Sequence, residues 1–308
     1  MKFNKDHVIP EAFGTYGSQT MTLTREVCWD CNAYFGDNIE LVVARGGLEA
    51  IERIHHGLKP MSELNQINRD RISAELGDGP MVGTKIEPVT HGNIPQVGLK
   101  LKNKEKRDHF TLNQLEGMER LDLERYDTKA TNGILLGADT RETQNHLISE
   151  LGRLGIRFRE TGRAPGANGR LPVDYSFVID SLTMRMMAKI AFSYSAKMRG
   201  GAYLLKKDFD EIRRFIRYDE RPIPRPVKPT TKQLLRNELR GWRITDGHLV
   251  VSDAVHPGRE LVAHVSLFNQ LPYRIVLCSS YSGKIIYRSF GHHFDFKNKT
   301  ISELYPLA

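Results

Sequence analysis

Cysteine is scarce in this sequence: three residues in 308 are too few for the disulfide framework of a small secreted protein. The sequence also lacks an apolar run of about 20 residues, the length that a membrane-spanning helix requires. No apolar segment follows the first residues, so nothing resembles a secretory signal peptide. From these absences we expect a cytoplasmic protein without a membrane partner.

The composition is otherwise that of an ordinary folded chain. Apolar residues make up 40% and charged residues 27%, and the length allows a large core or two domains. Lysine and arginine outnumber aspartate and glutamate by 45 to 37, which gives a net charge of +8. A basic surplus favours contact with a polyanion, although charge alone does not identify one.

Hydrophobic patterning along the chain predicts an α+β fold in four segments. The first, residues 1–58, contains two short strands followed by a helix. A mixed α/β region follows over residues 59–220. Closely spaced prolines then predict an extended linker over residues 221–241. Alternating apolar residues separated by turns predict a β-rich C-terminal part over residues 242–308.

Periodicity also predicts the individual elements of these segments. Strands are expected at residues 3–9, 21–27, 81–86, 97–101 and 156–159. Helices are expected from residue 29 onward and at residues 39–56, 112–123, 141–154, 181–198 and 208–218. The chemically informative residues then fall at the end of the first strand and near the start of the first helix.

The helix over residues 181–198 is predicted to bury a methionine-rich face. That face consists of Met184, Met187, Ala188, Ala191 and Tyr194. Arg185 and Lys189 are expected to turn away from it. A methionine-rich stripe of this kind is typical of a protein core rather than of a cofactor site.

The opening segment contains the residues with chemistry. Asp6 and His7 stand side by side at the end of the first predicted strand, and a bend before Pro10 would let both reach one site. A carboxylate is a good ligand for Mg²⁺, and a neutral imidazole beside it can accept a proton from water. Asn32, on the following helix, would offer a carbonyl oxygen to the same cation. Together these groups would make a small hydrolytic site.

The order of these residues resembles the HNH endonuclease family over roughly residues 1–40. The shared pattern is the run Asp6-His7-Val8-Ile9-Pro10, then Gly14, then Cys28, Cys31-Asn32, Gly36 and Glu40. Resemblance to this family implies the ββα-metal fold, in which two strands are followed by a helix. It also implies hydrolysis of DNA phosphodiester bonds that leaves 5′-phosphate and 3′-hydroxyl ends.

The resemblance assigns roles to single residues. His7 would be the general base that activates water. Asp6 and Asn32 would hold Mg²⁺, with Mn²⁺ or another divalent cation as the alternative. Asn38 and Glu40 are further candidates for completing the metal site, and helical spacing lets Asn38 share a face with Asn32.

Two features depart from the family pattern. The asparagine that normally steadies the loop beneath the base is replaced by a Thr-Leu-Thr segment, in which Thr24 would have to substitute for it. Cys28 and Cys31 form one Cys-x-x-Cys pair, where many members have two pairs that bind zinc. A structural zinc is therefore not expected, and the two cysteines are expected to be packing residues. Completion of a zinc site by a histidine or by a second chain stays open.

A dense basic stretch is the candidate nucleic-acid contact. It includes Arg213, Arg217, Arg225, Lys228, Arg236 and Arg240. These residues would either follow a phosphate backbone or form a solvated helix face and linker. Both interpretations stay open.

The sequence thus predicts a metal-dependent HNH-type nuclease that acts on DNA, with RNA not excluded. One site cuts one strand, so cleavage of both strands requires a homodimer or two successive nicks. The rest of the chain is expected to supply recognition or regulation, in a role such as restriction or defence against phage. The alternatives are a non-catalytic nucleic-acid-binding protein on a degenerate HNH scaffold, an RNase, or a chance arrangement of surface residues.

Overall fold

A computed structural model gives the fold of the chain. It describes residues 2–60, 63, 66–68, 70–76, 85–86, 97–104, 106–130, 133–138, 141–157, 173–231, 247–253, 258–283 and 289–304. The chain divides into two compact units, one built from residues 1–59 and 178–308 and the other from residues 60–177. The first unit therefore combines the two ends of the chain.

Helices and antiparallel strands both contribute, which confirms the α+β class. Among the described residues, the α-helices are α1 (Trp29–Phe35), α2 (Leu41–Gly46), α3 (Leu48–His55), α4 (Leu112–Glu116), α5 (Arg141–Arg153), α6 (Ser181–Arg199), α7 (Gly201–Leu204) and α8 (Asp210–Tyr218). The strands are β1 (Asp6–His7), β2 (Thr22–Leu23), β3 (Ile72–Leu76), β4 (Lys85–Ile86), β5 (Val97–Lys100), β6 (Arg107–Phe110), β7 (Ile134–Leu136), β8 (Val173–Phe177), β9 (Val227–Pro229), β10 (His248–Ser252), β11 (Leu261–Leu267), β12 (Leu271–Cys278), β13 (Phe290–Asp295) and β14 (Thr300–Leu304). A π-helical turn, Gly36–Glu40, joins α1 to α2.

The first unit is built on a six-stranded antiparallel sheet in the order β14-β13-β10-β11-β12-β9. Strands β10, β11 and β12 are apolar stretches predicted from the sequence, and β11 is buried along its whole length. Helix α6 packs across strands β9 to β12. Strand β9 lies in the segment expected to be a linker, and its Val227 pairs with Ile275 of β12. That part of the segment is therefore an edge strand of the sheet.

A two-stranded antiparallel hairpin, β1 with β2, precedes α1 in the first unit. The order strand, strand, helix is as predicted, but each strand has two residues instead of the seven expected over residues 3–9 and 21–27. Val8 and Leu23 join the core that α6, α8 and the large sheet share. The hairpin is therefore packed within the first unit, which differs from the separate N-terminal segment expected from the sequence.

Helix α6 is buried along most of its surface. It begins after Asp180, whose side chain accepts a hydrogen bond from the Thr183 N–H, and it ends at Gly200, where φ is 93°. The methionine-rich face packs into the core, as predicted. The expectation that Arg185 and Lys189 turn to solvent is wrong, because they are only 5% and 3% exposed. The large sheet, β2, α2 and α8 all contact α6, so little of the helix is left for solvent.

Arg185 links three helices of the first unit. Its Nε and Nη2 donate to the Ile216 carbonyl oxygen at 3.0 and 2.9 Å, and Nη2 also donates to the Arg217 carbonyl at 3.0 Å. The same Nη2 donates to the Tyr34 hydroxyl of α1 at 2.9 Å. The last carbonyls of a helix lack intrahelical partners, and a cation there also stabilises the helix dipole. The buried guanidinium therefore serves as a C-terminal cap for α8.

The second unit contains two three-stranded antiparallel sheets, in the orders β4-β3-β8 and β6-β5-β7. Helix α5 matches its predicted bounds closely, whereas α4 covers only the start of residues 112–123. A capping box between Thr111 and Gln114 fixes the first turn of α4. Of the strand predicted over residues 156–159, residues 156–157 are not in a strand, and residues 158–159 lie outside the described residues. The core of this unit includes Val97, Leu99, Leu115, Leu147 and Leu151.

Candidate active site

The candidate site lies on the β1–β2 hairpin. Asp6 pairs with Leu23 and His7 with Thr22 across the two strands. Neighbouring residues on a strand point to opposite faces, and the burial follows that rule. Asp6 is 2% exposed, whereas the His7 side chain keeps 22% of its surface accessible. The hairpin thus separates the Asp-His pair into a buried carboxylate and an accessible imidazole.

Helix α1 is held against the hairpin by its first residues. The Trp29 backbone N–H donates to the Lys2 carbonyl oxygen at 3.0 Å. The Asn32 side-chain amide donates to the Lys5 carbonyl oxygen at 3.3 Å. Asn32 is therefore brought next to the residue that precedes Asp6. Two parts of the predicted motif that are far apart in the sequence meet at this point.

The two cysteines of the motif form the start of α1. The Cys28 sulfur accepts a hydrogen bond from the Cys31 backbone N–H at 3.4 Å, which makes Cys28 the N-cap of the helix. Both are free thiols and half-buried. Burial and the Cys28 thiol raise the pKa of Cys31, and the Arg217 guanidinium acts in the opposite direction. The capping bond gives the pair a structural role in this geometry.

The Asp6 carboxylate is paired with a lysine from α6. The Lys189 Nζ lies 2.7 Å from Asp6 Oδ1 and 2.7 Å from Glu40 Oε1. It also donates to the His7 backbone carbonyl oxygen at 3.2 Å. One turn further along α6, the Ser193 hydroxyl donates to Asp6 Oδ2 at 3.5 Å. Lys189, Asp6 and Glu40 are called the buried ion group below.

The buried ion group is shielded from water. The side chains of Lys189 and Asp6 are each 3% exposed, and that of Glu40 is 19% exposed. Burial alone would lower the pKa of Lys189, but the carboxylates of Glu40 and Asp6 outweigh it and raise the pKa above the usual 10.5. Lys189 is therefore a cation at neutral pH. A buried charge of this kind is stable only with its partners, because desolvation of an unpaired ion costs several kcal/mol.

His7 lies in a different environment from Asp6. Its Nδ1 is 3.9 Å from Glu11 Oε2, and the Glu11 side chain is 71% exposed. Such an exposed contact is weak, because solvent screens it. Opposite His7, the Thr22 carbonyl oxygen accepts a hydrogen bond from Lys197 Nζ at 3.2 Å. An imidazole in contact with solvent can reach a water molecule, which a general base requires.

A divalent cation at Asp6 does not fit this arrangement. The Lys189 ammonium already contacts the carboxylate, and the Asn38 amide donates to the Tyr34 carbonyl oxygen at 3.1 Å. Within the part of the chain that the structure describes, no group of three or more His, Cys, Asp or Glu side chains could hold a metal ion. The Mg²⁺ site expected from Asp6, Asn32 and Asn38 stays a prediction, and the contacts of Asp6 do not favour it.

The loop that follows β2 is held by Glu26. Its carboxylate Oε2 accepts hydrogen bonds from the backbone N–H groups of Thr24 and Arg25, both at 2.8 Å. Thr24, expected to steady this loop through its hydroxyl, is exposed. The family pattern gave no signal for Glu26, which lies three residues after the end of β2.

The basic residues proposed as a nucleic-acid track have different surroundings. The Arg217 guanidinium lies 3.7 Å from the centroid of the Tyr34 ring on α1, so it is beside the candidate site. Arg213 forms an ion pair with Asp210 within α8. Two of the others are exposed, Arg225 and Lys228, and two lie outside the described residues, Arg236 and Arg240.

Two exposed aromatic side chains border the hairpin and were not singled out from the sequence. Phe3 is 48% exposed and Trp29 is 56% exposed. The exposed Lys2 and Lys5 flank Phe3 in the chain. Phe3 forms a β-bridge to the residue before Trp29, so the two aromatic residues lie on neighbouring backbone segments. A large apolar residue between two lysines, Phe3, was the only signal in the sequence for this surface.

Comparison of the chain with models of protein families, with curated proteins and with solved structures finds no match. None of the helices described is both long enough and apolar enough to cross a membrane. A functional conclusion must therefore be drawn from the motif residues and their contacts.

Proposed function

We propose that this chain is an HNH-type endonuclease that hydrolyses phosphodiester bonds in DNA. The proposal depends mainly on one observation, the hydrogen bond from the Asn32 amide to the Lys5 carbonyl oxygen across 27 residues of sequence. This bond joins the helix end of the motif to the strand that bears His7. The strand-strand-helix order around it is the order that the family resemblance implies.

In the proposed reaction, the His7 imidazole takes a proton from water, and the oxygen of that water attacks phosphorus. The bond between phosphorus and the 3′ oxygen breaks, and the departing 3′ oxygen takes a proton from solvent, which leaves a 5′-phosphate and a 3′-hydroxyl. Negative charge grows on the phosphate oxygens during this step, and nearby cationic side chains such as Lys5 would offset it. A divalent cation would supply further charge stabilisation, but Asp6 is paired with Lys189, so no step is assigned to one.

The surface around Phe3 and Trp29 supports nucleic acid as the substrate. Exposed aromatic rings stack on bases regardless of sequence, and neighbouring lysines attract the phosphate backbone. Lys2 and Lys5 supply that charge on the same segment. The exposed Lys197 is a further cation, held against β2.

A non-catalytic nucleic-acid-binding protein is the second candidate. The observation that favours it is the ion pair between Lys189 and Asp6, because the carboxylate expected to hold the catalytic cation is already neutralised. The same aromatic and basic surface would then serve binding alone. The two candidates differ in whether His7 is needed for strand cleavage.

Plasmid nicking tests the proposal, with the purified chain in Mg²⁺, Mn²⁺ or EDTA. We expect His7→Ala to reduce cleavage by about 10²- to 10⁴-fold, the usual contribution of a general base. His146→Ala is the matched control, because His146 is a 49% exposed histidine on α5 of the second unit. DNA binding in a gel shift should be unchanged in both variants. Binding without cleavage under every condition would support the second candidate instead.

The same assay addresses the finer parts of the proposal. An RNA substrate of matched length separates a DNase from an RNase. Linear product that appears together with nicked product favours a homodimer, whereas linear product that follows it favours successive nicks. Action in the cytoplasm, in restriction or in defence against phage belongs to the proposal, and cleavage of foreign DNA in cells is its test.

A further inference from the structure

The Lys189 ammonium of the buried ion group lies among oxygen atoms of the protein. An ammonium has three N–H donors and no acceptor. Three oxygens surround Lys189 Nζ: Asp6 Oδ1 at 2.7 Å, Glu40 Oε1 at 2.7 Å and the His7 carbonyl oxygen at 3.2 Å. The ammonium thus has as many oxygen neighbours as it has N–H groups.

The three oxygens come from two separate parts of the chain. Asp6 and His7 belong to β1, and Glu40 ends the π-helical turn after α1. Two carboxylates and a carbonyl oxygen are the kind of ligand set that a hard divalent cation prefers. Here the set surrounds a side-chain ammonium with a single positive charge.

We propose that the Lys189 ammonium is the built-in cation of the Asp6–Glu40 carboxylate pair, so that this pair binds a divalent cation only when Lys189 is replaced. The inference deepens the proposed function and rests on it for the view that Asp6 borders a nuclease site. It concerns the binding of a divalent cation to Asp6 and Glu40, which can be measured whether or not the protein cuts DNA.

Simple electrostatics supports this assignment. A cation bound to Asp6 or Glu40 would lie within a few ångströms of the Lys189 charge, in surroundings where repulsion is weakly screened. Mg²⁺ also requires ligand oxygens at about 2.0–2.1 Å in octahedral geometry, which leaves no room for an ammonium among the same oxygens. The Lys189 side chain is only 3% exposed, so little solvent surrounds its charge.

Calorimetric titration of Mn²⁺ tests the proposal with the full chain. Wild type should bind no Mn²⁺ in a manner that depends on Asp6, so wild type and Asp6→Asn should give the same isotherm. Lys189→Met replaces the ammonium with an unbranched apolar side chain. This variant should bind Mn²⁺ at least about tenfold more tightly than wild type, since one opposing charge is removed. The double variant Asp6→Asn/Lys189→Met should lose that gain.

Two results would overturn the proposal. One is Mn²⁺ binding by wild type that Asp6→Asn abolishes. The other is a folded Lys189→Met protein, by circular dichroism, whose Mn²⁺ affinity equals that of wild type. Lys189→Gln replaces Lys189→Met if the latter does not fold, and the comparison of wild type with Asp6→Asn decides the question if neither folds. Loss of the proposed function would appear separately, as nicking by His7→Ala at the wild-type rate.

Discussion

Replacing the buried carboxylate of Asp6 tests the energetic role of the buried ion group. In Asp6→Asn, the Lys189 ammonium keeps Glu40 and the His7 carbonyl oxygen but loses its less hydrated carboxylate, which is 3% exposed against 19% for Glu40. We expect a loss of about 3 kcal/mol in the free energy of unfolding, at the lower end of the range for breaking a buried ion pair. Glu40→Gln should cost less, about 1 kcal/mol, because the Glu40 side chain is 19% exposed against 3% for Asp6.

A double variant separates the attraction from the penalty of an unpaired charge. In Asp6→Asn/Lys189→Met the cation is replaced by an apolar side chain, so its desolvation no longer opposes folding. We expect this variant to be more stable than Asp6→Asn by at least about 1 kcal/mol. The single variant Lys189→Met completes the cycle from which the coupling energy of the two residues is obtained.

Urea unfolding followed by tryptophan fluorescence is the assay for these variants. Trp29 begins α1 of the first unit, so the change in its fluorescence reports on that unit. Asp37→Asn is the control, since Asp37 is exposed in the same π-helical turn as Glu40 and should change stability by less than about 0.5 kcal/mol. Equal losses in Asp6→Asn and Glu40→Gln, or a gain in Asp6→Asn, would refute the reasoning from burial.

Three further outcomes are expected. Trp29→Ala should weaken binding of single-stranded DNA by about 1–3 kcal/mol in gel shifts. Leu205→Ala truncates a 62% exposed apolar side chain and should leave this binding unchanged. Equal effects of the two substitutions would exclude stacking. Asp180→Ala removes the N-cap of α6 and should lower the unfolding free energy by about 1 kcal/mol, so an unchanged urea midpoint would contradict the cap. Because the folded-state pKa of Lys189 is raised above 10.5, its stabilisation is complete below pH 10.5 and is lost as pH rises through the folded-state pKa. Wild type should then lose stability faster than Lys189→Met above pH 10.5, and parallel pH profiles would contradict this.

The elements that the sequence predicted well are those whose burial follows a local period. The strands from β10 to β12 alternate or are continuously apolar, and α6 has a methionine-rich face, so both types are evident without knowledge of their neighbours. Strand β9 was missed because closely spaced prolines usually indicate a linker. Pro229 can nevertheless occupy an edge strand, where one side of the backbone needs no partner.

Lys189 could not be predicted as a buried residue from local pattern. Lysine is almost never buried without a partner. A lysine that lies off the apolar stripe of a helix is therefore predicted to be exposed to solvent. Its partners, Asp6 and Glu40, belong to other elements, and Asp6 is 183 residues away in the sequence. Part of the site could have been predicted from the alternation of side chains along a strand. Asp6 and His7 are neighbours, so their side chains must point to opposite faces.

The division of the chain into two units has a consequence for its folding during synthesis. Residues 60–177 form a contiguous unit, whereas the first unit combines residues 1–59 with residues 178–308. The hairpin that bears His7 must wait for the cation that neutralises Asp6, because Lys189 is synthesised 183 residues later. At about 5–20 residues per second, this delay is roughly 10–40 s. A nascent chain is therefore without its candidate site until most of the polypeptide exists, which would keep a nuclease inactive while it is being made.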